Sequence, residues 1–272
     1  MSELDQLVRI AEAAAEIVRR HYAGEFRVEY KIGDDPVTAA DKEANAFIIA
    51  ELERAFPGVP IVAEESDPRT FDVRRDAREC FFVDPLDGTR EFVARNGEFA
   101  VMIGLARGGR AALGVVNAPD WHRAWAGDVS SSAFEIARDG SRRAIHVTNV
   151  EDVSLARCLV SRSRATEETF AMLAKLGATK VNKMGSAGLK AAAVACGEAE
   201  AWLQPSAGGK LWDTCGPEAI VRAAGGFFSQ VDGPAKRDVA TAIDYAEGPL
   251  ELPGILVAST QKLYARLAGL EH

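Results

Sequence analysis

The chain has 272 residues, 26% of them charged, with a formal net charge of −8 and a pI near 5.2. That length allows one large domain or two halves sharing a core. The acid excess excludes a general nucleic-acid binder, which needs a basic face. The four cysteines, Cys80, Cys158, Cys196 and Cys215, are too scattered for a disulfide framework or a zinc site. No apolar run approaches the roughly 18 residues that would span a membrane. The opening MSELDQLVRIAEAAAEIVRR mixes charges with periodic apolar positions, unlike a signal peptide. The expectation is a soluble cytoplasmic protein, with neither a membrane nor a nucleic-acid polymer as partner.

Residues 3–22 place Leu4, Leu7, Val8, Ile10, Ala11, Ala14, Ile17 and Val18 at helical spacing, which predicts an amphipathic helix. A turn around Pro36 precedes a second helix from Ala39 to Phe56, with Phe47, Ile48, Leu52 and Phe56 as its apolar stripe. PGVPIVAEES reads as a turn, a short buried strand and then acid. FFV, residues 81–83, reads as another short buried strand. EFAVMIGLARGGRAALGVVNAP and WHRAWAG read as neighbouring antiparallel strands, with Gly108 and Gly109 at a hairpin. From about residue 141 the pattern changes. IHVTN, CLVSRS and AEAWLQP read as strands. Residues 166–176, 187–196, WDTCGPEAIVRAAGG and KLYARLAGL read as helices. The expectation is an α+β protein, with an antiparallel sheet in an N-terminal half (residues 1–140) and mixed α/β structure in a C-terminal half (residues 141–272). The seam falls at RDGSRR.

Five acids stand where a strand ends or a helix begins: Asp41, Glu64, Asp84, Asp87 and Asp213. Taken singly each has a bland reading. An Asp beside a helix start is most often a cap, and Asp-Gly is most often a plain turn. The set is harder to explain that way, because three of the five follow apolar strands and face inward. Two carboxylates at the mouth of a buried strand repel unless something positive lies between them. In DPLDGT, Pro85 stiffens the turn, and Gly88 lets the backbone approach a ligand closely. N–H groups near Gly88 and Thr89 offer an anion site. Oxygen ligands beside an anion site point to hard divalent cations holding a phosphate, with Mg²⁺ or Mn²⁺ favoured over Zn²⁺.

PVTAADKEAN, VAEES, FFVDPLDGTREF and LWDTCGPEAIVRAAGG, in that order, resemble the inositol monophosphatase superfamily of metal-dependent, lithium-sensitive phosphatases. The resemblance runs from the first helix to LPGILVAS. It implies a layered α-β-α-β-α sandwich of the inositol monophosphatase/sugar phosphatase type. Within the superfamily, DGTREFVARNGEF, VSRSRA (residues 160–165) and Lys190 in GSAGLK resemble the 3′(2′),5′-bisphosphate nucleotidase branch. That branch removes the 3′-phosphate of 3′-phosphoadenosine 5′-phosphate. The stretch QPSAGGKLWDT departs from the arginine-bearing form of bacterial nucleotidases and is nearer to the animal-type enzymes.

Carried over position by position, the resemblance implies two or three Mg²⁺ ions, with Mn²⁺ as a substitute and Li⁺ as an inhibitor. Glu64, Asp84 and the Leu86 carbonyl would hold one ion, and Asp84, Asp87 and Asp213 a second. Asp41 and Thr89, with Glu64, would serve catalysis by orienting the attacking water. Gly88, Thr89, Ser163, Ser186, Lys190 and Lys210 are the candidate contacts to a small phosphorylated substrate. Arg162 and Asp244 are weaker candidates. Trp212 reads as core, and His21, His122, His146 and His272 receive no role. Family members are often dimers, so a homodimer is an expectation. The rivals are a phosphatase of the same superfamily acting on inositol, histidinol or sugar phosphates, and a non-catalytic metal- or phosphate-binding regulator. The regulator would be expected to have lost an acid or Thr89, and all are present.

Overall fold

The strand Glu79–Asp87 shows how the layers arise. Successive strand side chains point to opposite faces. Phe81 and Val83 pack with the first two helices, while Cys80 and Phe82 pack into a second apolar cluster. This strand is therefore apolar on both faces and covered on both. A computed structural model describes residues 1–31, 36–205, 209–231 and 240–269.

Helices α1 (Glu3–Ala23) and α2 (Ala39–Ala55) cover one face of a seven-stranded sheet. Its order is Ile61–Ala63, Glu79–Asp87, Ala100–Arg107, Arg110–Ala118, Arg123–Asp128, Ala133–Ile136 and Arg142–Ile145. The pairings are antiparallel except the first. Ile61–Ala63 runs parallel to Glu79–Asp87, because the Pro68–Arg74 turn of 3₁₀ helix crosses between them. The sheet is antiparallel as expected, with this one parallel pair added at its edge. The RDGSRR stretch is not a seam. It is a hairpin turn inside this sheet, and the chain leaves the sheet only after Ile145. IHVTN accordingly contributes only Ile145 to a strand.

The second sheet has six strands in the order Lys180–Met184, Arg157–Ser161, Ala201–Gln204, Ile255–Ala258, Phe227–Val231 and Ala240–Thr241. After the one-turn α3 (Thr89–Val93) come α4 (Glu167–Lys175), α5 (Ala187–Ala195), α6 (Leu211–Ala223) and α7 (Gln261–Leu267). Helices α5 and α6 lie between the sheets, and α4 and α7 pack on the outer face of the second. The α-β-α-β-α order is as expected. Among the described residues, no helix is long and apolar enough to cross a membrane.

Helix α6 belongs by sequence to the second half but lies directly on the first sheet. Gly104 pairs with Gly114, and Gly114 with Gly127, so three adjacent strands present a row without side chains. A Cβ at Gly104 or Gly114 would come within 2.4 Å or 2.1 Å of the Gly216 backbone, and one at Gly127 within 2.7 Å of Ile220 Cα. The helix backbone thus fills the place of missing side chains, which fixes the position of its N-terminal turn.

Candidate active site

The strand Glu79–Asp87 carries its acids within itself rather than beyond its end. Asp84 opposes Met102 and Asp87 opposes Ala100, so one extra residue bulges between them. Such a bulge re-aims side chains. The Leu86 N–H donates to Asp84 Oδ1 at 2.9 Å. Gly88 follows at φ +90°, a conformation that glycine adopts without strain, and α3 begins at Thr89. Glu64 emerges from the parallel edge strand, and its N–H donates to the Val83 carbonyl at 3.0 Å.

The other two acids arrive on helices in the same way. Asp41 and Asp213 each occupy the third position of a helix and accept from the backbone N–H of its cap. Thr38 N–H donates to Asp41 Oδ2 at 2.7 Å, and Lys210 N–H to Asp213 Oδ2 at 2.7 Å. The bland capping reading is thus true of both, and both also reach the site. Asp41 Oδ1 accepts from the Thr89 hydroxyl at 3.1 Å.

Carboxylate oxygens of Asp84, Asp87 and Asp213 lie within 4.8 Å of one another. Burial pushes the Asp84 carboxyl well above the usual range, and Glu64, Asp87 and Asp213 add to the effect. Its recessed position, with Asp87 and Glu64 nearby, pushes Asp213 up to about 7. Burial also raises Asp41, against the hydrogen bonds from Thr38 and Thr89. Carboxylates gathered this closely hold protons unless a cation takes their place. The donor set is oxygen only, which fits a hard divalent ion. Asp87 Oδ2 accepts from the Ser186 hydroxyl at 2.5 Å and from Gly188 N–H at 2.9 Å, so α5 fixes its orientation. Lys31 pairs with Glu64 at 3.2 Å and with Glu65. Burial opposes the Lys31 charge, but Glu64 and Glu65 more than offset this and raise its pKa.

The acids open onto a cavity of about 570 Å³. Glu64, Asp84, Leu86, Asp87, Gly88, Thr89, Ser163, Ser186, Lys190, Lys210 and Asp213 all line it, while Asp41 sits behind Thr89. Lys190 is 3% exposed, with its ammonium 5.0 Å from the Trp202 ring centre. Burial lowers its pKa to about 8, against the pull of Asp87 and Glu91. Lys210 Nζ lies 5.1 Å from the ring centre of Trp212, which is core, packed edge-on against Phe71, and also forms part of the cavity wall. Ser186 plays two parts. It caps α5 through Leu189 N–H at 3.1 Å and faces the cavity. Its φ of +55° is strained for a residue with a Cβ, at a cost of about 1–3 kcal/mol.

Two weaker candidates lie elsewhere. Arg162 pairs with Glu98, and Asp244 accepts from the N–H groups of Ala246 and Glu247. Neither lines the cavity. Reading the sequence missed Arg164, Glu91, Gln204 and Glu251, which do. Arg164 stands beside Ser163 in VSRSRA and could have been found from that neighbour. Glu91 lies within the DGTREF motif and could have been found from it, whereas Gln204 and Glu251 carry no local signal. His21 pairs with Glu43 at 2.7 Å, and His122 and His146 lie outside the cavity wall. Ser206, Ala207, Gly208 and His272 lie outside the described residues.

Close-set carboxylates, an alcohol–carboxylate pair and cationic side chains thus meet at one cavity between the two sheets. The Inositol monophosphatase family model matches residues 1–270, and the chain belongs to that family. It is 37% identical over 233 residues to the 3′(2′),5′-bisphosphate nucleotidase CysQ of Salmonella typhimurium, covering 85% of this chain and 91% of that one. The Escherichia coli K12 CysQ matches at the same identity and coverage. Among solved structures, CysQ from Bacteroides thetaiotaomicron superposes with a TM-score of 0.77 at 27% identity, covering 94% of this chain and 96% of that one. A Thermotoga maritima IMPase superposes with a TM-score of 0.81 at 22% identity, covering 99% and 96%, a likeness of fold. The chain is a phosphatase of this family, and its acid cluster is able to hold metal.

Proposed function

We propose that this phosphatase removes the 3′-phosphate from 3′-phosphoadenosine 5′-phosphate in a Mg²⁺-dependent reaction. The observation that carries this reading is Lys190, an ammonium held in a buried wall of the cavity, with Ser163 and Arg164 lining the same cavity. The Lys190 ammonium is held by the Ser186 and Met184 carbonyl oxygens and the Trp202 ring with Asp87 and Glu91 nearby, and a second phosphate in the cavity would add a direct, charge-assisted contact that a monophosphate lacks. The similarity to CysQ proteins supports the same substrate class.

Glu64, Asp84, the Leu86 carbonyl, Asp87 and Asp213 would hold the ions. When bound, Mg²⁺ supplies Lewis acidity, neutralising phosphate charge and making nearby water more acidic. The remaining work falls to the chain. Thr89 donates its proton to Asp41, so its oxygen is left to accept from a water and aim it at phosphorus. Asp41, with its pKa raised by burial, is suited to receive a proton through that hydroxyl. Lys190, Arg164, Ser163 and Lys210 bind and orient the rest of the substrate.

The test is phosphate release with Mg²⁺ from 3′-phosphoadenosine 5′-phosphate, inositol 1-phosphate, fructose 1,6-bisphosphate and histidinol phosphate. The expected result is at least a tenfold higher kcat/KM for the nucleotide. Equal or better cleavage of inositol 1-phosphate would keep the centre and reject the substrate.

A further inference from the structure

Glu98 stands outside the acid cluster and outside the cavity wall, yet it joins three segments that build the site. Its carboxylate accepts from Gly185 N–H at 2.6 Å and from Arg162 Nε and Nη2 at 2.7 and 2.6 Å. Arg162 Nη2 also donates to the Lys183 carbonyl at 3.2 Å, and Arg162 N–H to the Met184 carbonyl at 3.0 Å. The backbone of residue 98 is wedged as tightly as its side chain is bonded. Its carbonyl oxygen lies 2.8 Å from where a Cβ on Gly88 would stand, and 2.9 Å from one on Gly185. Residue 98 therefore touches the DPLDGT turn on one side and the corner before α5 on the other.

That corner is where Ser186 is held at positive φ with its hydroxyl on Asp87 Oδ2, two residues before Gly188 N–H makes the second bond to the same oxygen. A strained conformation persists only where its surroundings over-determine it. The charge-assisted bonds from Glu98 are well placed to do so. The Arg162 pair holds the Glu98 carboxyl below the usual range against its burial, so it accepts as an anion at neutral pH.

We propose that Glu98, fixed by Arg162, is a positioning residue for Asp87. It latches the Gly185–Ser186 corner of the second half against the DPLDGT turn of the first, and so sets the orientation of one carboxylate in the metal centre. The role rests on the reading of Asp87 as a ligand, but not on the choice of substrate.

The test uses the metal-free full chain and Mn²⁺ as the probe. Mn²⁺ binding is measured by calorimetry, and amide hydrogen exchange is followed over residues 185–190. Glu98→Ala is expected to weaken Mn²⁺ binding about tenfold and to speed exchange at Gly185 and Gly188 by a similar factor. Glu98→Gln keeps a carbonyl acceptor for Gly185 N–H and is expected to recover most of both. Arg162→Met, which leaves the Glu98–Gly185 bond, is expected to fall between them. If Glu98→Ala lowers only the melting temperature and leaves Mn²⁺ affinity and local exchange at wild-type values, Glu98 is structural and the proposal fails. Should Glu98→Ala not fold, Arg162→Met decides it, since wild-type Mn²⁺ affinity and local exchange in that variant overturn the latch. A wild-type protein that binds no Mn²⁺ would overturn the metal centre itself, and this role with it. Loss of nucleotide preference alone would touch only the substrate assignment.

Discussion

The Thr89 hydroxyl lies 3.1 Å from Asp41 Oδ1 and 3.1 Å from the Leu86 carbonyl oxygen. A hydroxyl has one proton, so it donates to one of these acceptors at a time. With Asp41 as acceptor, the oxygen is poised toward water. Thr89→Ala is expected to lower kcat by roughly 10²-fold or more while Mn²⁺ affinity changes little, and Thr89→Ser to retain most of the activity. A loss in kcat smaller than threefold for the alanine variant would remove the pair from catalysis.

Asp84 is 2% exposed and faces three other acids. An amide at that position keeps the shape and removes a buried carboxyl without a compensating cation. Asp84→Asn is expected to abolish detectable turnover and to weaken Mn²⁺ binding at least tenfold. The melting temperature of the metal-free variant should not fall below that of the wild type. Substantial Mg²⁺-dependent turnover in this variant would refute the ligand assignment.

Lys190 tests the substrate reading directly. Lys190→Met is expected to raise KM for the bisphosphate about tenfold or more, and for a monophosphate less than threefold. The Lys190 pKa, lowered by burial to about 8, adds a pH signature. The charged form is present below that value and lost above it, so bisphosphate KM should climb as pH rises through about 8. The variant should lack that climb. Equal losses on both substrate types would take Lys190 out of the specificity argument.

Glu218 sits behind the site in α6. It accepts from the Tyr245 hydroxyl at 2.8 Å and lies 3.4 Å from Arg222. Burial pushes its pKa up to about 7, against those partners. A folded pKa above the ordinary 4.5 means this group favours the folded state at low pH. That contribution is lost as pH rises through about 7. Glu218→Gln should therefore melt at the same temperature as wild type near pH 4 and roughly 4 °C higher at pH 8. Parallel pH curves for the two proteins would show that Glu218 is not the group responsible.

The acid centre was legible because its signal is local. DPLDGT sets two acids and a glycine within one turn, and VAEES and LWDT each close an apolar run with acid. The hairpin at Gly108 and Gly109 and the first two helices were legible for the same reason. What escaped depends on contacts between distant segments. Lys31 meets Glu64 from 33 residues away, and Glu98 meets Gly185 from 87. Neither lysine nor glutamate shows in sequence which partner it will find. In sequence FFV reads as ending before Asp84, because proline and aspartate signal a turn. The bulge lets the strand run on to Asp87 instead. The seam at RDGSRR follows from the change of pattern near residue 141, and a glycine among charges does not show in sequence that it turns a hairpin within one sheet.

The glycine row under α6 has a mechanical consequence. Asp213 is carried by the second half of the sequence, but its helix is seated on the backbone of the first sheet. Asp84, Asp87 and Asp213 therefore ride on one chassis. Ser163 and Arg164 follow the strand Arg157–Ser161 and travel with the other sheet. Arg162 of that same stretch is clamped to Glu98 beside the DPLDGT turn, and Asp87 is oriented from α5, so the two sheets are tied together at the rim of the acid cluster.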